Sequence, residues 1–494
     1  MSETSGRAPV PPRVPTGIRG FDEVLGGGLF AGGVYIVMGL PGAGKTILGN
    51  HFAFHHARTG GRVVYVTLLS ETHGRLLAFL QTMSFFDAGA VGSTLRYLNG
   101  YAAVESEGLP GLLKLVRQIV RESRATLLVI DGMITAAAIA SSEVEYKKFV
   151  NELQSWIEVV GCTVVLLTSA RASELRPEYT MVDGIVELEY TRIGSRRVRE
   201  LTVIKFRGST YLGGKHSYEI TSDGFTLLPR VEARFGLRPR ATVDGGLAAF
   251  GVPGLDRLLE GGLARSSTTL LLGSSGTGKT VLGLLFLAAG LEAGEPALHF
   301  SFGEDGVATV AAGDALGLRL GEHAQSGKLT SIWNPLREPV LDRIGHDIVS
   351  AAQRTGARRL FLDGLEVAWN APPMDRLPAF WAALSQELRC LGVTTIASAE
   401  AGGAAFAEPA ASLPAMSAIA DSVIHLGRME RGGRWARVLG VSKTRGRPHD
   451  PGLVQYEVTH RGFRIGRSFG EDGAGAAAPG ARRKVRRGGG RRKP

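Results

Sequence analysis

The chain has 494 residues, 44% of them hydrophobic and 21% charged, with a formal net charge of +11. It is too long for a single core, and its composition is that of an ordinary soluble globular protein. Eight of the positive charges (Arg482, Arg483, Lys484, Arg486, Arg487, Arg491, Arg492 and Lys493) fall in the last thirteen residues, which leaves a net +3 for everything before them. No stretch approaches the ~18 uninterrupted apolar residues of a membrane span. The Pro-rich start, Met1 to Thr16, lacks the apolar centre of a signal peptide. Cys162 and Cys390 are the only cysteines. They read as small buried hydrophobes in a reducing compartment, and a cytoplasmic location is expected.

Along the chain, Val34–Met38 is a strand running into the glycine-rich Gly39-Leu40-Pro41-Gly42-Ala43-Gly44-Lys45-Thr46. The runs Val63–Leu69, Thr126–Ile130, Thr163–Thr168 and Gly184–Tyr190 follow, most of them apolar on both faces. Such runs fit central strands of a parallel sheet covered by helices. Leu48–Thr59, Leu112–Ser123 and Val144–Val160 carry the spacing of crossover helices. Near Phe235 to Val243 the pattern breaks at Arg-Pro-Arg and a following Gly-Gly. It then starts again with strands at Thr269–Leu272, Ala297–Phe302, Leu360–Leu362, Thr394–Ala397 and Ser422–Leu426. Alternating strands and helices give an α/β fold, with ligands at the carboxyl ends of the strands. The expected domains are 1–239 and 240–469. The remainder, 470–494, is a basic tail with no apolar periodicity, expected to be disordered.

The second half repeats the first. Gly273-Ser274-Ser275-Gly276-Thr277-Gly278-Lys279-Thr280 stands 234 residues after the first loop, lysine to lysine. Its lead-in, Gly254 to Leu263, matches Gly20 to Leu29 in the same register. Both loops fit the phosphate-cradling P-loop, in which glycines let successive N–H groups turn onto phosphates at a helix N-terminus. The residues taken to line the phosphates are Gly39, Pro41, Gly42, Ala43, Gly44, Lys45, Thr46 and Ile47, and in the second loop Gly273, Ser275, Gly276, Thr277, Gly278, Lys279, Thr280 and Val281. Lys45 and Lys279 reach the β- and γ-phosphates, and Thr46 and Thr280 hold Mg²⁺. A P-loop also needs an acid to anchor the metal through water, and Asp131 and Asp363 each close an apolar strand. Glu71 and Glu304, after the second strand of each half, are the candidate bases for the attacking water. Late in each half come Lys205-Phe206-Arg207-Gly208 and Lys443-Thr444-Arg445-Gly446. A Lys and an Arg on alternate residues put two cations on one strand face, suited to phosphate charge.

With these elements the chain resembles the KaiC-type ATPases, within the wider RecA-like group, over nearly its whole length to about Phe469. The resemblance implies two tandem RecA-like P-loop domains, each a mostly parallel sheet flanked by helices. It also implies ATP and Mg²⁺ as cofactors and a homo-hexameric double ring with ATP at the subunit interfaces. Lys205, Arg207, Lys443 and Arg445 would then reach the neighbour's nucleotide. The family usually carries two adjacent glutamates after the second strand, whereas this chain has Ser70-Glu71 and Gly303-Glu304. Its clock members phosphorylate an adjacent Ser-Thr pair, matched here by Ser417 and Ala418, so Ser417 is the one phosphoacceptor left, with Ser412 second. These departures point to a homologue outside the clock: a nucleotide-driven switch that signals to a protein partner and favours hydrolysis over a two-site kinase cycle. One alternative is a RecA-like DNA-dependent ATPase. Against it, Gly132 to Ser142 and Gly364 to Pro373, which follow the two strand-end aspartates, contain no Lys or Arg. The other alternative is a nucleotide-gated scaffold with negligible turnover. The tail suits loose, salt-sensitive attraction to nucleic acid or an acidic protein.

Overall fold

The computed structural model describes residues 11–68, 73–171, 177–193, 196–234, 245–335, 340–368, 374–400, 419–431, 433–459 and 462–468. The chain divides into two compact units. The first comprises Met1–Pro239 with Leu336–Ser350 and Ala368–Glu387, and the second Arg240–Pro335, Ala351–Val367 and Leu388–Pro494. Among the described residues no helix is long and apolar enough to cross a membrane.

In the first unit the main sheet has nine strands. Its parallel part runs Leu95–Asn99, Val63–Thr67, Leu127–Asp131, Thr163–Thr168, Val34–Gly39, Gly184–Ile193. Antiparallel strands Arg196–Phe206, His216–Thr221 and Gly224–Leu228 extend it beyond Gly184–Ile193. Alternate side chains of the central strands feed two cores, as the two-residue period of a strand requires. Tyr35, Val37, Tyr65, Val129 and Leu167 pack with Leu48 and Phe52 of the helix Lys45–Arg58. Val34, Ile36, Val64, Leu128 and Leu166 pack on the other face with Leu112, Val116, Phe149 and Leu153. The strands read as unbroken apolar runs because both faces are covered.

The helix Glu143–Val160 has the ends its sequence announces. The Ser142 side chain accepts from the Glu145 N–H, and Gly161 closes the helix at φ 73°. The expected helix Leu112–Ser123 is the latter part of a longer one, Tyr101–Ser123. That helix kinks where Gly108 takes φ 65° just ahead of Pro110, a proline having no N–H for the helical ladder.

The second unit has the same strand order around its P-loop strand: Leu329–Trp333, Ala297–Ser301, Arg359–Asp363, Thr394–Glu400, Thr268–Gly273, Ser422–Arg431, Arg434–Thr444, Val454–Thr459 and Gly462–Ser468. Again the run to Ser422–Arg431 is parallel and the rest antiparallel. Each unit is an α/β domain with a mostly parallel sheet, as the alternation of elements predicts. The tail 470–494 lies outside the described residues.

Each unit also carries a β-bulge at the same place. The register slips between Ile185 and Val186 opposite Lys205, and between Val423 and Ile424 opposite Lys443. A bulge adds one residue to one strand and turns the side chains beyond it, so the Lys-x-Arg-Gly elements follow directly on a repeated bend.

Candidate active site

Each P-loop links the end of the central strand to a helix that begins at the loop's lysine, Lys45–Arg58 and Lys279–Glu292. The residue before each lysine, Gly44 or Gly278, has φ 96°, a left-handed conformation that glycine takes without strain. The lysines fold back over their loops. Lys45 Nζ donates to Gly39 O at 2.7 Å and Leu40 O at 3.2 Å, and Lys279 Nζ to Gly273 O at 2.8 Å and Ser274 O at 3.1 Å. Burial lowers the pKa of both. Asp131 opposes this at Lys45, and Glu366, Glu400 and Asp363, in that order, oppose it at Lys279.

The C-terminal hairpin of each unit braces the loop from below. Tyr218 Oη donates to Ala43 O, and Tyr456 Oη to Thr277 O at 2.6 Å. A Cβ placed on Gly44 would lie 2.3 Å from Ile220 Cδ1, and one on Gly278 would lie 3.0 Å from Val458 Cγ2. Sequence reasoning left out this brace, although Tyr218-Glu219-Ile220-Thr221 and Tyr456-Glu457-Val458-Thr459 repeat as plainly as the loops do.

Beneath each loop a hydroxyl meets a carboxylate. Thr46 Oγ1 donates to Asp131 Oδ2 at 2.8 Å, and Thr280 Oγ1 to Asp363 Oδ2 at 2.9 Å. In the first unit Tyr65 Oη also donates to Asp131 Oδ2, at 3.0 Å. Burial raises the Asp131 pKa in spite of these donors and of Lys45, the mark of a carboxylate short of positive charge. A hard divalent cation would supply that charge, and a hydroxyl beside a carboxylate is the oxygen donor set it prefers. Thr46 with Asp131, and Thr280 with Asp363, are therefore the residues that could hold Mg²⁺. In the second unit the other support differs. Ser398 Oγ donates to Asp363 Oδ1 at 2.5 Å, and His299 stands where Tyr65 stands in the first unit.

The Lys-x-Arg-Gly cations are engaged within their own chain. Lys205 Nζ donates to Tyr179 O and Thr180 O, both at 3.0 Å, and Arg207 donates to Thr180 O at 2.6 Å and Met181 O at 3.2 Å. Arg445 lies 3.6 Å from Asp421. Burial and the neighbouring arginine lower the pKa of both Lys205 and Lys443. Glu304 is exposed, its N–H bonded to Ser301 Oγ at 3.0 Å. Glu71, Ser412 and Ser417 lie outside the described residues.

The family model described as "ATPase: KaiC" matches this chain twice, over residues 14–232 and 248–468. The chain is 25% identical over 486 residues to the circadian clock oscillator protein KaiC of Parasynechococcus marenigrum (strain WH8102), covering 92% of this chain and 91% of that protein. It is 24% identical over 478 residues to the protein of the same name from Rippkaea orientalis (strain PCC 8801 / RF-1), covering 92% and 89%. It is 25% identical over 489 residues to circadian clock oscillator protein KaiC 1 of Synechocystis sp. (strain ATCC 27184 / PCC 6803 / Kazusa), again covering 92% and 89%.

Proposed function

The chain belongs to the KaiC ATPase family, and from that premise we propose that it binds and hydrolyses Mg-ATP in both of its duplicated domains, as a ring-forming switch whose conformation follows its nucleotide. The observation that carries this reading is the Thr–Asp pair beneath each P-loop, occurring twice on matched elements. Held by Thr46 with Asp131 and by Thr280 with Asp363, Mg²⁺ would supply neutralisation of phosphate charge. The chain's own residues do the rest. The loop N–H groups and Lys45 or Lys279 hold the phosphates, Thr46 with Asp131 and Thr280 with Asp363 fix the metal, and an acid at the strand ends, Glu71 in the first site and Glu304 or another strand-end carboxylate in the second, turns the water toward the γ-phosphorus.

A homo-hexamer fits this reading, with Lys205, Arg207, Lys443 and Arg445 turned to the neighbour's phosphates. Lys205 and Arg207 would exchange carbonyl partners in their own chain for stronger phosphate ones. Ser70, Gly303 and Ala418 argue for a homologue outside the clock, with phosphorylation limited to Ser417 and slower than hydrolysis. The basic tail suits weak multivalent contact with nucleic acid or an acidic protein.

The test combines γ-labelled ATP, phosphate-release counting, sizing and mass spectrometry of the protein. Two nucleotides should bind per chain at saturation. Lys45→Ala and Lys279→Ala should each remove one, phosphate release should exceed protein labelling, and a six-chain assembly should form in ATP. One nucleotide per chain with both lysines intact, or binding without release, would overturn the reading.

A further inference from the structure

The two nucleotide sites carry different acids. At the end of the Arg359–Asp363 strand the chain turns at Gly364, φ 86°, into the short helix Leu365–Ala368, whose second residue is Glu366. The matching position in the first half is Ile134, and Glu400, at the end of the next strand, matches Ser169. Glu366 Oε2 accepts the backbone N–H of Glu400 at 3.1 Å, which fixes the carboxylate across two strand ends. Its Oε1 lies 3.7 Å from the point where a Cβ on Gly364 would stand, and the N of Gly303 lies 3.8 Å from that same point. The carboxylate is thus held between the carboxyl ends of the Arg359–Asp363 and Thr394–Glu400 strands, on the side where Lys279 receives phosphate. Glu366 is the foremost of the carboxylates acting on Lys279, and the exposed Glu304 is not among them. A Cβ on Gly303 would meet nothing within 4 Å, so the space an acid from that strand would fill is open.

We infer that Glu366, held by the Glu400 backbone, is the carboxylate that orients and deprotonates the attacking water at the second site. The inference rests on the reading that this site hydrolyses ATP, and it adds a residue to a site already defined by Lys279, Thr280 and Asp363. The water oxygen bonds to the γ-phosphorus as the bond to the β,γ-bridging oxygen breaks, and that electron pair leaves with ADP. The water proton passes to the Glu366 carboxylate and from there to solvent, leaving inorganic phosphate. No oxidant or further reactant is needed. With Ile134 and Ser169 at the matched positions, the first site has no such acid and depends on Glu71.

The test uses the full chain carrying Lys45→Ala, so that turnover and binding report the second site. Glu366→Gln should lower turnover at least about a hundredfold, the loss expected for a general base. It should bind a non-hydrolysable ATP analogue at least as tightly as its parent, because a negative charge facing the phosphates has gone. Glu304→Gln should cost less. Gly303→Glu, which puts a carboxylate into the open space from the neighbouring strand, should restore Glu366→Gln to within about tenfold of the parent. Unchanged turnover in Glu366→Gln, analogue binding weakened more than tenfold, or no recovery with Gly303→Glu would overturn the assignment. Binding without turnover in the Lys45→Ala parent itself would instead overturn the hydrolytic reading.

Discussion

Alanine at Gly44 tests the architecture of the first P-loop at one atom. Gly44 and Gly278 share φ 96°, so an L side chain meets the same backbone strain at both, about 1–3 kcal/mol. Their surroundings differ. The new Cβ lies 2.3 Å from Ile220 Cδ1 at Gly44 but 3.0 Å from Val458 Cγ2 at Gly278. The first contact forces the tip of a half-buried isoleucine off its rotamer, adding about 0.5–1.5 kcal/mol. The second needs a shift of only a few tenths of an ångström, though from a methyl carried directly on Cβ rather than from the end of a longer side chain. Gly44→Ala should therefore cost about 2–4 kcal/mol and Gly278→Ala somewhat less. In units of this size that lowers the corresponding thermal transition by roughly 4–15 °C. Gly60 is the control: it has φ 93° and nothing within 4 Å of its Cβ, so Gly60→Ala should show the backbone cost alone. Calorimetry gives the transitions, and equilibrium dialysis with an ATP analogue gives the stoichiometry. Gly44→Ala and Gly278→Ala should each lose one bound nucleotide per chain, and Gly60→Ala none. A Gly44→Ala chain that melts like the parent and keeps both nucleotides would refute the left-handed loop and its brace.

Acid should loosen the first unit through His51, whose pKa is brought down to about 4 by burial and then by His55 and Arg58. The unfolded chain, with its histidines near ~6.5, takes the proton first, so stability is lost as pH falls from ~6.5 toward 4. From pH 7 to pH 5 this amounts to roughly 1–2 kcal/mol after allowance for solvent screening. Protonation also removes the Nδ1 acceptor used by the Phe225 N–H at 3.2 Å. His51→Gln should flatten this part of a pH series of denaturant midpoints, and an unchanged slope would refute it. For the interface reading, mixing Arg207→Ala chains with Glu71→Gln chains should recover part of the first-ring turnover, because some mixed interfaces join an intact Glu71 to an intact Arg207. No recovery on mixing would place Arg207 in its own chain's site or outside the chemistry.

The parts of the site legible in the sequence are those in which local chemistry and the repeat agree. Glycines before a lysine and an aspartate closing an apolar strand are short-range signals, and their recurrence removes chance. The edge strands Leu95–Asn99 and Leu329–Trp333 escaped because they are buried on one side only and mix polar with apolar residues. The antiparallel extension was hidden for a related reason: Arg196–Phe206 and Arg434–Thr444 are rich in charge along their exposed parts. Glu366 and Glu400 could not be found from the repeat, because each occurs once. Only the fold brings the ends of their strands together beside Lys279.

That contrast divides the site into what duplicated and what diverged. The loop, its lysine, the Thr–Asp pair and the tyrosine brace recur on matched elements, and under the proposed function the first three would hold phosphate and metal while the tyrosines hold the loop. The groups around the place where water must stand do not recur. Tyr65, which supports Asp131, gives way to His299, with Ser398 taking over the bond to Asp363. Ile134 and Ser169 give way to Glu366 and Glu400. Tyr190 gives way to Arg428, whose guanidinium donates to the second loop at Gly276 O, 3.0 Å away. Binding tolerates little change, since each loop N–H must meet a phosphate oxygen. A base need only come within reach of the water, and any of several strand ends can supply it. Two sites built alike for binding and unlike for chemistry would fill together and empty at different rates.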